Sequence, residues 1–346
     1  MIQRHKMVID NLFEKLIERD LEGKITAGVA VSWKNKDNKI WTFKLRKNAK
    51  WSDGKPVTAH DFVYAIRRTV DPKVASPLAG RYMTIGYKNA VEIVNGNISV
   101  KELGVKAIDD YTLEITLEKP VPYFIEIAGI APLRKDVVEK YGDKWTNVGK
   151  FIGNGAYKLE EFILQEKIIL KKNPYYYWDQ KNVQIEKVNF LVITDTAVAY
   201  SRYMANELDI VFVNTPRSLY EKAKKTYPNE LYQVPRASVS YIGINHDKIS
   251  DKRVRKALQL GIDREIIAKH VLGAGYRPAY NFVPPSIKHA NFSKPDWSEW
   301  SDQQRYAEAK RLLAAAGYNE QNPYKFTLYY DTSETGKFSC RCAIYV

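Results

Sequence analysis

The chain has 346 residues, 45% hydrophobic and 27% charged, which excludes a disordered polymer and leaves room for two or three domains. Its 54 Lys and Arg outnumber 40 Asp and Glu, for a net charge of +14. The bases are spread along the chain instead of gathered in a tail, which argues against a nucleic-acid-binding arm.

The N-terminal stretch MIQRHKMVIDNLFEKLIERD lacks the uncharged apolar core and small-residue cleavage site of an export signal. As written, the chain is therefore expected to stay in the cytoplasm. Ile9, Leu12, Phe13, Leu16 and Ile17 fall at helical spacing and predict one buried face of an amphipathic helix. In WTFKLRKNAKWSDGKPVTAHDFVYAIRR (41–68), Trp41, Phe43 and Leu45 alternate with Thr42, Lys44 and Arg46. That period of two predicts a strand with one wet face. Residues 34–50 hold seven bases and one acid, and the alternation makes them a solvated face before it makes them a binding patch. Asp53-Gly54 predicts a tight turn, since Gly accepts positive φ. Thr58 stands three residues before Asp61, the spacing of a helix N-terminal cap. The helix it opens runs through Phe62, Ile66 and Val70 and stops before Pro72.

Further on, residues 105–124 read as two strands joined at Asp109-Asp110, with Leu113, Ile115 and Leu117 on one face. Residues 151–177 read as a Gly-rich turn and a hairpin ending at Asn173-Pro174. VNFLVITD (188–195) reads as a buried strand by its length and Val/Ile content. Residues 197–213 predict a helix leading directly into a strand, and VSYIGINHD (239–247) another strand. Residues 251–275 predict one or two helices, Ser301 starts another that Gly317 ends, and YKFTLYY (324–330) resumes strand alternation. Helices and strands interleave irregularly, which predicts an α/β fold with mixed sheets.

Catalytic signatures are missing: the sequence has no GxSxG, HExxH or phosphate-binding GxxxxGK[ST]. Gly153 and Gly155 lack the third glycine of a dinucleotide fingerprint and precede a strand, so they read as a turn. The histidines, at 5, 60, 246, 270 and 289, have no metal-ligand spacing, and Cys340 and Cys342 are too few for a structural zinc site. Neither an enzyme, a metal site nor a cofactor is expected. The 24 Tyr and 7 Trp are numerous, and the run Tyr175, Tyr176, Tyr177, Trp178 is open to three readings: sheet-edge packing, a ligand cleft, or base stacking.

Several stretches in order carry a resemblance: AVSW (30–33), WTFKLRKNAKWSDGKPVTAHDFVYAIRR, DPKVASP (71–77), LGVKAIDDYTLEITL, PVPYF, NGAY (154–157) and DKRVRKALQLGIDRE. Together they closely resemble bacterial periplasmic oligopeptide-binding proteins, the solute-binding proteins of ABC importers, from about residue 8 to about 335. The resemblance implies a periplasmic-binding-protein-like fold of two lobes, with mixed sheets, an extra small domain and an incomplete second lobe. Residues 1–13 would be a remnant of the first lobe, 14–134 the small domain, 135–236 the first lobe and 237–346 part of the second.

It also implies a binding protein that traps oligopeptides between hinged lobes and hands them to an inner-membrane permease, as a monomer in the periplasm. Relatives specialised for haem, nickel or antimicrobial peptides are an alternative, as is a truncated fragment that binds nothing. Few ligand contacts carry over. Tyr241 and Asn245 match positions near the cleft; Phe212, Val213 and Asn214 lie where family members touch peptide; Asn154 and Gly155 would sit near a crossover between lobes. Strand packing or a turn is an equally open reading of each. Leu78 stands where some relatives place a cleft tyrosine. The family's own beginning and end are not matched here, and GKFSCRCAIYV (336–346) reads as out-of-frame sequence.

Overall fold

The protein is described by a computed structural model covering residues 2–20, 22–178, 183–211, 217–233, 238–273, 275–284, 287 and 293–329. The chain divides into two compact units, Met1–Val192 and Ile193–Val346.

The first unit opens with α1 (Ile2–Leu12) and a two-stranded ribbon, β1 (Ile17–Arg19) against β2 (Ile25–Ala27). The hairpin β3 (Ala30–Lys36) and β4 (Ile40–Leu45) follows, then α2 (Ala59–Val70), α3 (Ala79–Ile85) and α4 (Ala90–Val94). A second hairpin, β5 (Val105–Asp109) and β6 (Thr112–Thr116), completes an antiparallel sheet of order β3-β4-β6-β5. Register puts Trp41 opposite Ile115 and Phe43 opposite Leu113, while Val105 faces Ile115 from the other side. All five are buried, so the predicted alternation is the core face of this sheet. Thr42, Lys44 and Glu114 take the opposite, wet face. Burying each such side chain contributes about 1.5–3 kcal/mol.

Helix α2 covers the apolar face with Phe62, Val63, Ile66 and Val70. Its start is built as the sequence predicts. The Thr58 N–H and Oγ1 donate to Asp61 Oδ2 at 2.8 and 3.2 Å, and the wholly buried Trp51 adds its Nε1–H at 3.3 Å. Gly54 has φ +88° in the turn, where an alanine methyl would also meet the Tyr175 ring at 3.3 Å. Beyond Trp51, the buried Arg134 joins Asp53 at 2.9 Å and Asp136 at 2.6 Å.

Helices α5 (Phe124–Ile127) and α6 (Lys135–Tyr141) precede a three-stranded antiparallel sheet of order β7-β8-β9: Tyr157–Ile163, Lys167–Lys172 and Lys187–Leu191. Leu12, Phe13 and Leu16 join Tyr157, Leu170 and the α2 face in one continuous hydrophobic cluster.

The second unit holds α7 (Thr196–Met204), α8 (Arg217–Thr226), α9 (Lys252–Gly261), a π-helical segment Ile266–Leu272, and α10 (Asp302–Ala315). Ser301 caps α10 as predicted, accepting the Gln304 N–H, and Gly317 ends it at φ +90°. Ala257 and Leu260 of α9 pack on Ala309 of α10 and on Trp297. The buried Arg305 of α10 donates to the carbonyls of Leu260 and Ile262, both at 3.0 Å, and so satisfies the free C-terminal end of α9. Among the described residues no helix is long and apolar enough to cross a membrane.

Five expectations are corrected. The helical face drawn from Ile9 to Ile17 is not one helix: α1 ends at Leu12 and Ile17 begins β1. Ile9 is about half exposed while Leu16 is wholly buried, because the chain turns into the core instead of continuing its helix. The strand within 188–195 forms, but as the exposed edge β9, whose outer side has no further strand among the described residues. No strand follows α7 over 205–211, where Ile210 is exposed. Residues 238–245 and 324–329 likewise form no ladder among the described residues: alternation alone supplies no partner for their backbone N–H and C=O groups.

Candidate functional site

Of the residues singled out in the sequence, Asn154 and Gly155 sit where the first unit's N-terminal segment meets the start of β7. Asn154 is 2% exposed. Its Oδ1 accepts the Glu14 N–H at 3.1 Å and its Nδ2 donates to the Glu14 carbonyl at 3.0 Å. The Gly155 N–H donates to the Leu12 carbonyl at 3.0 Å. A side chain at 155 would meet the Leu12 carbonyl carbon at 2.6 Å and the Phe13 nitrogen at 2.7 Å, so only glycine lets the two backbones approach. The NGAY motif thus fastens residues 11–14, and its polar groups are engaged inside the unit.

Sequence reasoning missed the residue at the centre of this junction. Glu14 is 7% exposed, and its carboxylate accepts the hydroxyls of Tyr176 at 2.5 Å and Tyr177 at 2.7 Å. The Arg46 guanidinium lies 4.0 Å over the Tyr177 ring, with its Nε donating to the Gly28 carbonyl at 2.8 Å. Burial pushes the Glu14 carboxyl above its ordinary value, against the opposing pull of the two hydroxyls and of Arg46. Burial and the neighbouring carboxylate push both tyrosine hydroxyls well above theirs. One signal was available: a carboxylate inside the apolar run Leu12, Phe13, Leu16, Ile17 needs donors, and the tyrosine run supplies them. Of the three readings of that run, internal packing describes Tyr176 and Tyr177; Trp178 and Tyr175 remain substantially exposed.

In the second unit, Tyr241 is 69% exposed with its ring tilted against Phe282 at 5.1 Å. Asn245 closes a turn: its Oδ1 accepts the N–H groups of Asp247 and Lys248 at 2.9 and 3.2 Å. Phe212, Val213 and Asn214 lie outside the described residues. Leu78, exposed, precedes α3. Within the first unit the described residues include the linings of two shallow depressions. One, about 320 Å³, is lined by Ala156, Tyr157, Val183, Gln184 and Ile185. The other, about 460 Å³, lies beside Lys44, Lys47 and Tyr111. Among the described residues no group of His, Cys, Asp and Glu is arranged to hold a metal ion.

Comparison with known proteins gives this scaffold its family. The family model for bacterial extracellular solute-binding proteins, family 5 (middle region), matches residues 24–340. The chain belongs to that family. It is 45% identical over 333 residues to the periplasmic oligopeptide-binding protein OppA of Salmonella typhimurium, covering 94% of this chain and 61% of the relative. It is 42% identical over 332 residues to the periplasmic murein peptide-binding protein MppA of Escherichia coli, with the same two coverages.

Solved structures agree. The E. coli murein tripeptide-binding protein superposes with a TM-score of 0.88 at 41% identity, over 97% of this chain and 66% of that one. Haemophilus influenzae OppA in complex with RPPGFSPFR gives 0.86 at 40% identity, over 97% and 67%. The fold is therefore the mixed α/β fold of periplasmic peptide-binding proteins, as the motifs implied. This family-5 chain spans about 61% of the length of the curated relatives it matches.

Proposed function

We propose that this chain serves as the solute-binding component of an ABC importer, capturing oligopeptides and delivering them to a membrane permease. The observation that carries the reading is the 0.86 superposition, at 40% identity, on a relative solved in complex with a nine-residue peptide. In this reading the four-part division at residues 13, 134 and 236 describes the lobes and the small domain, and the ligand stabilises the closed arrangement by touching both lobes. An extended peptide would pair its main chain with the protein, leaving side chains in wet pockets that accept many sequences. The relatives are named as periplasmic binding proteins, which supports a periplasmic location; the reading further takes the protein as a monomer without catalysis.

Tyr241 and Asn245 are the residues of the second unit assigned to the ligand, together with Phe212, Val213 and Asn214. Tyr241 suits that role, because a large ring that is 69% exposed gains apolar burial from whatever covers it. Asn154 and Gly155 act indirectly here, by fixing residues 11–14.

The test is calorimetric titration of the purified chain with RPPGFSPFR and with shorter peptides, alongside circular dichroism to establish that it is folded. Saturable one-to-one binding supports the proposal. A folded chain that takes up none of the peptides overturns it and favours the second reading, a non-binding portion of a longer receptor. The coverage of 61% motivates that second reading.

A further inference from the structure

We propose that Glu14 is a proton-operated latch: while its carboxyl carries a proton, the segment 13–17 stays fastened to the turn after β8, and ionisation loosens it. The parts of the latch are on three chain segments far apart in sequence. Asn154 holds the Glu14 main chain, and Tyr176 and Tyr177 hold its side chain. The turn that carries the tyrosines is itself fixed. Asn173 is buried, its N–H donates to the Ala156 carbonyl at 2.9 Å, and its Nδ2 donates to the Gly155 carbonyl at 2.9 Å.

The charges around Glu14 decide the direction. Tyr176 and Tyr177 face it from the turn after β8, Arg46 from beyond β4 and Glu18 from β1. Its chain neighbour Lys15 is occupied elsewhere, at 2.8 Å from Asp10 and 3.7 Å from Glu18. Arg46 is stacked on the Tyr177 ring and attracts the carboxylate from there, and among the described residues no salt bridge joins a cation to it. A protonated Glu14 keeps the network satisfied. Its O–H donates to one tyrosine oxygen, that tyrosine turns its own O–H to the other tyrosine's oxygen, and the other goes on donating to the carbonyl oxygen of the Glu14 carboxyl. An ionised Glu14 is a buried charge with two hydroxyl donors and no direct counter-ion, so opening to water gains hydration.

The sign follows from burial, which raises the folded-state value above the ordinary 4.5. The folded chain holds the proton more tightly than the unfolded chain, so this contribution to stability is complete below about 4.5 and is lost as pH rises through the folded-state value.

The test uses the whole chain. The Glu14 carboxyl is assigned by triple-resonance NMR and titrated from pH 3 to 9. In parallel, hydrogen exchange is followed by mass spectrometry in peptides spanning 13–17 and 173–178, corrected for intrinsic rates. The proposal expects a Glu14 midpoint above 4.5. It also expects corrected exchange in both peptides to rise through that midpoint, about tenfold for each pH unit of displacement. A midpoint at or below 4.5, or corrected exchange that stays flat, overturns it. Glu14→Gln, if it folds, should give flat exchange; the wild-type titration decides the matter even if that variant does not fold.

Discussion

The Asn154 side-chain amide closes a two-bond ring on the main chain of Glu14, accepting its N–H at 3.1 Å and donating to its carbonyl at 3.0 Å across 140 residues of sequence. Both partners are buried, so neither backbone group has water to turn to. Asn154→Ala should therefore cost about 3 kcal/mol, since each orphaned buried group loses about 1–3 kcal/mol. Asn154→Asp should cost a similar amount, because its carboxylate cannot donate to the Glu14 carbonyl. The measurement is the urea midpoint of the first unit; a change below half a kilocalorie would mean that the pair is not formed.

The neighbouring glycine gives a prediction with a built-in contrast. A methyl at Gly155 would overlap the backbone of Asn11, Leu12 and Phe13, and main chain cannot swing aside as a side chain does. Gly155→Ala should destabilise the protein by about 3 kcal/mol, the upper end of ordinary overpacking. Gly80 in α3 has open space where its methyl would go and is not at positive φ. Gly80→Ala should stabilise by about 0.5–1 kcal/mol through backbone entropy. Thermal midpoints of the two variants should move in opposite directions.

What the sequence revealed and what it hid divide along the range of the interactions. Trp41, Phe43 and Leu45 announce their strand because a period of two is a local property, and Thr58 with Asp61 announces its helix because a cap spans one turn. Leu16 and Ile17 mislead for the same reason. Their spacing from Leu12 fits a helix, yet Leu16 is buried because its N–H donates to the Ile130 carbonyl at 2.8 Å, a partner no local pattern names. Tyr241 and Asn245 came from family likeness, and alternation over 239–247 suggested a ladder that residues 238–245 do not form. Glu14 went unnoticed because its donors lie 162 and 163 residues away.

Acid should act on the Arg134–Asp136 pair in the opposite sense to Glu14. The Arg134 guanidinium holds the Asp136 carboxyl down to about 2, and burial of Asp136 opposes this only in part. A carboxyl lowered in the folded state contributes stability above its ordinary 3.8, and that stability is lost as pH falls through about 2. The wild-type chain should therefore weaken between about pH 4 and pH 2, and Asp136→Asn should flatten part of that slope. Asp136 is more than half exposed on its side chain, so the slope removed will be shallow. Urea midpoints taken at half-unit pH intervals check this; parallel profiles for the two proteins would exclude the pair as a source of acid sensitivity.

The second unit hangs on Arg305 much as the first hangs on Asn154. Its guanidinium donates to two carbonyls at the end of α9, pairs with Asp302 of its own helix, and lies 3.7 Å from the buried Asp263. Arg305→Met keeps most of the apolar stem but takes this donor from the Leu260 carbonyl and the nearby cation from the buried Asp263 carboxylate, while the Ile262 carbonyl keeps Arg264. Breaking a buried ion pair from one side costs about 3–5 kcal/mol, so most of the α9–α10 packing energy should be lost with it. Arg305→Lys should recover only part of that loss, because one ammonium cannot serve at once the two carbonyls held by Nη1 and the carboxylates of Asp302 and Asp263 beside Nη2. Asp302→Asn supplies the comparison: that carboxylate is mostly exposed, and an exposed partner contributes about 0–1 kcal/mol. Hydrogen exchange across α9 and α10 reads all three variants. The expected order of lost protection is Arg305→Met first, Arg305→Lys second and Asp302→Asn least; equal effects from Arg305→Met and Asp302→Asn would show that the exposed carboxylate, not the α9 terminus, is what Arg305 serves.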